Sequence, residues 1–443
     1  MMRKFAFRLI AIFLGFCLTT AAFAIDIPLK YQKHPDKTED YYPSGAAALK
    51  KTLEPPSGEW KLPRLVSEHP LYALVKIGDK ERLCVFDRQK ADDSFYNRFY
   101  FDSNYNGDLT DDPFVDGLIE FRNNNRFCIV QFPAVDTRIE VDGKSLPFSF
   151  RPTAQAYMLE QLAKQGYNEE TIERVLFFYL SSNCSYTGEF QLKGQKYRVV
   201  LGDSNCSGRF DEKFARREIK FEGRIRIYSE GDSFILTTSD KIDYYDAQVC
   251  SDLLQLNDQL FEVRINTSEG KMNLVPVTKG LIPLQLAMKP ERLQLYTEEG
   301  KNCLMMFQPS QKIMVPAGKY RLYDYQVFKK DDQGDLWRLR AAATTESPYV
   351  TVDGKSDSLV EFGEPFVPIV NVATRGGTSR AYLAFNVEGR GKEFLTDLSH
   401  VAGTQTAIPL SEEEDLGHRP KEPTYKIIKA DGEVVTQGSF RYG

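Results

Sequence analysis

The sequence predicts a mainly β, multidomain protein built from antiparallel β-sandwiches, with one inserted helical hairpin. Short runs such as "HPLYALVKIG", "RLCVFD", "RFCIVQF", "TRIEVDG", "KYRVVLG", "GRIRIYS", "SFILTTS" and "FEVRINTS" are rich in Val, Ile, Tyr and Phe, and Gly, Asp and Asn punctuate them. Their close spacing favours antiparallel neighbours over a parallel sheet, which needs crossover helices between its strands. One stretch departs from this pattern: between Thr153 and Leu180, apolar residues at Met158, Leu159 and Leu162, then at Ile172, Val175, Leu176, Tyr179 and Leu180, follow helical spacing. Gly166 interrupts it, and Asn168 followed by two glutamates supplies an N-cap for the second helix. The apolar stripe of this hairpin reads as core.

In chain order, the first element is Met-Met-Arg-Lys, an apolar run from Leu9 to Leu18, and the small-residue pattern Ala22-Phe23-Ala24. Residues 1–24 therefore read as a secretory signal peptide cut after Ala24. The run is about ten residues long, and a bilayer span requires ~20. Cys17 follows Phe16, where resemblance to a lipoprotein cleavage site would require a small residue. No later segment has the apolar length of a membrane span, so the expected location is periplasmic or extracellular. Without Arg3, Lys4 and Arg8 the chain has 54 basic against 62 acidic residues, a net charge of −8. That balance, with no basic cluster, argues against nucleic acid or an anionic membrane surface as partner.

A β-domain is expected over 25–150, the helical hairpin over 151–182, a second β-domain over 183–285, a small β-sandwich over 286–362 and a last sandwich over 363–443. Within the fourth unit, "MVPAGKYRLYDYQV" resembles the small transthyretin-like or carboxypeptidase-regulatory-like sandwiches. The last unit ends in "TYKIIKADGEVVTQGSFRYG", a strand, an Asp-Gly turn and a strand, as an immunoglobulin-like sandwich would. Inside that unit "SEEEDLGHRPKEP" reads as a solvated loop. Six cysteines follow the signal peptide, namely Cys84, Cys128, Cys184, Cys206, Cys250 and Cys303. Export permits disulfides, and a Cys184–Cys206 pair is favoured because the strand–turn–strand between them brings the two ends together. Buried free thiols are as good a reading for the others.

Two glycine-centred stretches, "FDSNYNGDLTDDPF" and "GDSNCSGRFDEKF", align without a gap. Counting from Asp102 gives Asn104, Asn106, Gly107, Asp108, Leu109 and Thr110 at positions 3, 5, 6, 7, 8 and 9, followed by Asp111 and Asp112. Counting from Asp203 gives Asn205, Ser207, Gly208, Arg209, Phe210 and Asp211, followed by Glu212. Calcium takes six to eight hard oxygen ligands, which a chain supplies by wrapping around the ion. Side chains at 1, 3 and 5 point inward, glycine permits the turn, position 7 offers its carbonyl, and the apolar residue at 8 anchors the loop. This resembles the EF-hand-type loop family in its strand-borne variants, and the resemblance implies calcium as the bound ion. Both copies depart from the family at position 12, which is Pro113 or Phe214. The second loop can use Asp211, while the first relies on Asp111, Asp112 or water. Dissociation constants on the order of 10⁻⁴ to 10⁻³ M are expected. Cys206, at position 4, points away from such an ion. The alternative is a pair of ion-free Asn-Gly and Ser-Gly turns inherited by duplication.

Enzymatic signals are sparse. "GDSN" at Gly202 to Asn205 and "DLSH" at Asp397 to His400 resemble the first and last motifs of GDSL-type esterases, which would make Ser204, Asp397 and His400 a triad. Against this, Ser204 aligns with Ser103 of the other loop, the family's intervening motifs are not recognisable, and the α/β alternation of that fold is missing. The four histidines have no zinc-ligand spacing. A glycosidase's carboxylate pair has room among 62 acidic residues. The reading reached is an exported calcium-binding β-protein with a structural or binding role, its partner a surface glycan or another envelope protein. A secreted hydrolase with structural calcium is the competing class.

Overall fold

The computed structural model describes residues 24–35, 41–122, 127–221, 224–300, 302–374, 381–401 and 419–441. Residues 1–23 of the expected signal peptide and most of "SEEEDLGHRPKEP" lie outside them. Strands make up 55% of the described residues and helices 5%, so the mainly β expectation holds. Every strand run quoted above forms a strand: each is rich in β-branched and aromatic residues, and some, such as Lys80–Asp87 and Ser233–Thr237, are buried on both faces.

Three sheets build the first half. Leu71–Ile77, Lys80–Asp87, Arg98–Phe101 and Phe114–Asp116 form a four-stranded meander. Lys144–Tyr157 is the hub of a six-stranded sheet that takes in Val135–Val141, Phe127–Gln131 and Leu176–Ser182. The third, five-stranded, contains Cys184–Leu192, Gln195–Gly202 and Ser233–Thr237. A single apolar core runs through them, with Phe86, Phe99, Phe150, Phe178, Leu201 and Leu274 among its fully buried members. Beside a three-stranded sheet of Lys312–Pro316, Leu281–Leu286 and Leu359–Val360 and two separate hairpins, a twelve-stranded sheet carries most of the rest, with Ile25–Pro28 at one edge and Val367–Thr374 at the other. Its hydrogen bonding passes the expected boundaries at 285 and 362 without a break. Pairing is antiparallel except where Leu253–Leu256 lies parallel to Leu304–Phe307 and Leu286 opposes Val360.

The helical hairpin is real but shorter than expected. Helix α1 spans Glu160–Gln165 and α2 spans Glu169–Val175. Asn168 caps α2 as predicted, its side chain accepting from the Thr171 N–H at 2.9 Å. The outer parts of 151–182 are strands instead, with Thr153 opposite Tyr179 and Ala156 opposite Leu176. Leu176, Tyr179 and Leu180 fit helical spacing, but Leu176, Phe178, Leu180 and Ser182 are the residues buried, every second one. The aromatic run Phe177-Phe178-Tyr179 favours the strand.

The hairpin around Lys193-Gly194 forms as read, with Ser185 opposite Gly202. The disulfide expected to close it does not: all six described cysteines are buried free thiols. Cys184 donates its thiol to the Ser149 carbonyl at 3.4 Å, and Cys206 sits in the core at a positive φ of 56°. Near the C-terminus, Thr424–Ile428 and Val434–Ser439 form the expected Asp-Gly hairpin. It packs through Phe440 on Phe385, 5.3 Å between ring centres. Val367–Thr374, Ala381–Glu388 and Phe394–His400 belong to the long sheet.

Candidate metal centre

Each loop is delivered by a paired strand. The strand Arg98–Phe101 leads into Asp102, whose N–H continues the ladder to the Leu83 carbonyl at 3.0 Å. Gln195–Gly202 leads into Asp203, whose carbonyl accepts from the Gly45 N–H and the Ser182 hydroxyl, each at 2.9 Å. The backbones then match. Position 4 is left-handed in both, with φ 62° at Tyr105 and 56° at Cys206, and position 6 is again left-handed, 75° at Gly107 and 81° at Gly208. The apolar anchor at position 8 is buried in both loops. Leu109 joins a small cluster with Tyr72, Leu83 and Trp60, and Phe210 enters the large core against Tyr186, 4.9 Å between ring centres.

In the first loop Asp102, 1% exposed, accepts the N–H groups of Asn106 and Gly107, both at 3.2 Å. Asn104 accepts from the Asn106 N–H at 3.0 Å, and Asn106 from the Asp108 N–H at 2.7 Å. The Asp108 side chain turns away to Lys61 at 2.6 Å, and that bond with Thr110's hydroxyl holds its carboxyl down at about 2. Its contribution inward is therefore the carbonyl, as position 7 requires. Asp112 accepts from the Ser103 N–H at 3.1 Å and from the Ser103 hydroxyl. Burial pushes the Asp112 carboxyl above its usual range.

The second loop is the more enclosed. Asp203, fully buried, accepts N–H bonds from Asn205 at 3.2 Å, Ser207 at 3.0 Å and Gly208 at 2.8 Å. Asp232, also fully buried, comes from the turn before Ser233–Thr237 and accepts the N–H groups of Ser204 at 3.0 Å and Glu212 at 2.8 Å. Burial raises the Asp203 carboxyl to about 7 despite the three N–H donors, and Glu212 adds to the rise. Burial first, and then the Asp203 charge, put the Asp232 carboxyl well above its ordinary value. Among the described residues no Lys or Arg forms an ion pair with Asp203, Asp232 or Glu212. Arg209, the basic residue at position 7, turns outward to Asp79 at 3.1 Å and Asp142 at 2.9 Å.

The acid that faces positions 3 and 5 stands at position 10 in both loops. Asp111 accepts the side-chain amides of Asn104 at 3.3 Å and Asn106 at 2.8 Å. Glu212 accepts the amide of Asn205 at 2.8 Å and the hydroxyl of Ser207 at 3.3 Å. Spacing offered Asp111 and Asp112 as alternatives in the first loop, Glu212 in the second, and Thr110 and Asp211 at position 9; of the first two it is Asp111 that turns toward positions 3 and 5, while Asp112 turns to Ser103. The gapless alignment of Asp111 with Glu212 was the available signal. Asp232 carried no such signal, because nothing in its local sequence ties it to a loop 28 residues earlier.

Among the described residues no three His, Cys, Asp or Glu side chains converge as a metal cluster. The loops combine carboxylates with Asn, Ser and backbone oxygens, a hard-oxygen donor set suited to calcium rather than zinc. A buried pair of carboxylates without a basic partner is costly, and a divalent cation would supply the missing charge. The fit holds for both loops and is strongest for the second.

The triad residues are not brought together. The Ser204 hydroxyl is paired with that of Ser233 at 3.0 Å. Asp397 accepts from Ser399 at 2.7 Å and from Tyr245 at 3.4 Å, and lies 3.6 Å from Arg338. Asp397 and His400 oppose Arg340 and Trp337 in one regular stretch of strand, and a three-residue separation there puts them on opposite faces. Comparison of the chain with protein-family models, with curated proteins and with solved structures found no match.

Proposed function

We propose that the chain is an exported calcium-binding β-protein with a structural or binding role at the cell envelope, its loops at Asp102 and Asp203 each holding one ion. The observation that carries the reading is the buried Asp203–Asp232 pair, held by backbone N–H groups and ion-paired with no basic side chain among the described residues. In the first loop the holding groups would be Asp102, Asn104, Asn106, the Asp108 carbonyl and Asp111. In the second they would be Asp203, Asn205, Ser207, the Arg209 carbonyl and Glu212. Asp232 would hold the loop's shape from behind.

An ion in the second loop would act as a cross-link. The loop touches the first meander through the Gly78 N–H, which donates to the Ser207 carbonyl at 2.6 Å, and through Arg209. Binding to the folded state alone would raise stability by RT ln(1 + [L]/Kd), about 2.7 kcal/mol at a hundredfold excess over Kd. Export rests on the signal-peptide pattern, and the expected partners are a surface glycan or another envelope protein.

The test is calorimetric titration with calcium, joined to thermal melts in EDTA and in millimolar calcium, on wild type, Asp102→Ala and Asp203→Ala. Two binding events, each lost with its own substitution, and a melting temperature raised by calcium are expected. Absence of heat and of any thermal shift in wild type would overturn the reading.

A further inference from the structure

We propose that the two ion loops are energetically coupled, each binding its ion more tightly when the other is filled, and that Arg82 is the positioning residue that joins them. This deepens the calcium reading above and rests on it. The two loops stand side by side on one strand, Val135–Val141. Thr137 donates its hydroxyl to the Ser103 carbonyl of the first loop at 3.0 Å. Ile139 lies two residues on, hence on the same face and about 7 Å away along the strand. It packs beneath the second loop so closely that a Cβ on Gly208 would stand 2.4 Å from its Cδ1.

A hairpin completes the frame. Its turn, Gly78-Asp79, joins Leu71–Ile77 to Lys80–Asp87 and serves the second loop. The Gly78 N–H donates to the Ser207 carbonyl at 2.6 Å, and the Asp79 N–H donates to the Glu140 carbonyl of the shared strand at 2.7 Å. Three residues past that turn, Arg82 serves the first loop. It is 3% exposed, and its guanidinium donates to the carbonyls of Asp102 at 3.2 Å and of Ser103, then across to the Arg138 carbonyl at 2.8 Å. One buried side chain thus ties positions 1 and 2 of the first loop to the strand on which the second loop rests, through charge-assisted hydrogen bonds, which are among the strong ones.

A second connection runs through the core. Phe101, which precedes Asp102, packs on Phe150 at 4.8 Å between ring centres, Phe150 on Phe148 at 6.2 Å, and Phe148 on Phe210, the position-8 anchor of the second loop, at 6.5 Å. All four rings are at most 2% exposed. A close-packed interior transmits displacement instead of absorbing it. A loop that closes on its ion fixes its own end of this frame, so the other loop closes against a support already ordered and loses less conformational freedom in doing so. Linkage makes the effect reciprocal.

The experiment is calorimetric titration with calcium of wild type, Asp111→Ala and Glu212→Ala, each alone and combined with Arg82→Lys or with Thr137→Val. Asp111→Ala should weaken binding at the second loop, and Glu212→Ala at the first, by one common factor of about fivefold or more. Arg82→Lys keeps the charge and loses the planar fork, while Thr137→Val keeps the shape and loses one bond, and each should cut that factor at least by half. Thermal melts establish that every variant is folded. Amide exchange at Gly78 gives a second readout: in Glu212→Ala, calcium that fills the first loop alone should slow it. Unchanged affinity of the distant loop in either Asp111→Ala or Glu212→Ala, or a factor undiminished by both Arg82→Lys and Thr137→Val, would overturn the inference. Heat from two independent sites therefore ends the coupling and leaves the calcium reading standing, whereas no heat at all in wild type ends both.

Discussion

Asn205 donates its side-chain amide to Glu212 at 2.8 Å, closing the second loop between its third and tenth positions. Asn106 closes the first loop on Asp111 at the same distance. The position-10 acid thus faces the inward side chains from across the loop, where a position-12 acid is missing. Glu212→Ala and Asp111→Ala are each expected to weaken calcium binding at their own loop by about tenfold or more, ~1.4 kcal/mol. Thr110→Ala and Asp211→Ala are expected to change it by less than about threefold. Calorimetry on the four variants checks both, and a larger loss in Asp211→Ala than in Glu212→Ala would return the ligand role to position 9.

The raised Asp203 carboxyl makes the ion-free protein pH-sensitive. Its folded pKa is about 7, against about 4 when unfolded, so the folded state binds the proton more tightly. The contribution of this group is fully present below the unfolded value and is lost as pH rises through about 7. Asp232 shifts in the same direction. His34, whose imidazole burial lowers to about 4, works in the opposite sense and costs stability as pH falls below about 6.5. Melts in EDTA of wild type and Asp203→Asn at pH 5 to 8 separate the two. The difference between the proteins should change with pH by several degrees, wild type losing ground toward pH 8, and calcium should remove that loss.

Strands and loops were legible for a physical reason. Leu71–Ile77 and Val135–Val141 each alternate across a sheet face, a local pattern that any stretch of chain displays. Leu109 and Phe210 likewise announced their anchoring by standing two residues past the glycines. Long-range features were not legible. The pairing of Asp26 with Asn273, 247 residues apart, ties the first strand into the longest sheet, and no local signal specifies it. Leu176 and Leu180 fitted both periods, and pairing with the neighbouring strand at Ala154 and Ala156 decided between them. Asp232 is the same lesson at the site itself, since burial and the missing counter-charge belong to the fold.

The glycines at position 6 should differ in cost. A Cβ on Gly208, at φ 81°, would stand 2.4 Å from the Ile139 Cδ1, whereas one on Gly107, at φ 75°, would meet only the Glu59 carbonyl at 3.0 Å and the Trp60 ring. Both substitutions to alanine carry the left-handed penalty of about 1–2 kcal/mol, and Gly208→Ala adds about 1–3 kcal/mol of overpacking. Urea titration in EDTA measures the two losses. Ile139→Val should recover part of the second and none of the first, because it removes the methyl in the way.

Arg209 separates the loop's shape from its ligands. Its guanidinium joins Asp79 at 3.1 Å and Asp142 at 2.9 Å, two turns of other strands, while only its carbonyl stands at position 7. Both pairs are partly exposed, so Arg209→Ala should cost about 1 kcal/mol or less in urea titration. A double-mutant cycle with Asp142→Ala should show coupling of a few tenths of a kcal/mol. Calcium affinity of the second loop should stay within about twofold, since the substitution leaves the backbone carbonyl in place. A tenfold change in affinity with an unchanged urea midpoint would mean that the side chain, and not the carbonyl, acts at position 7.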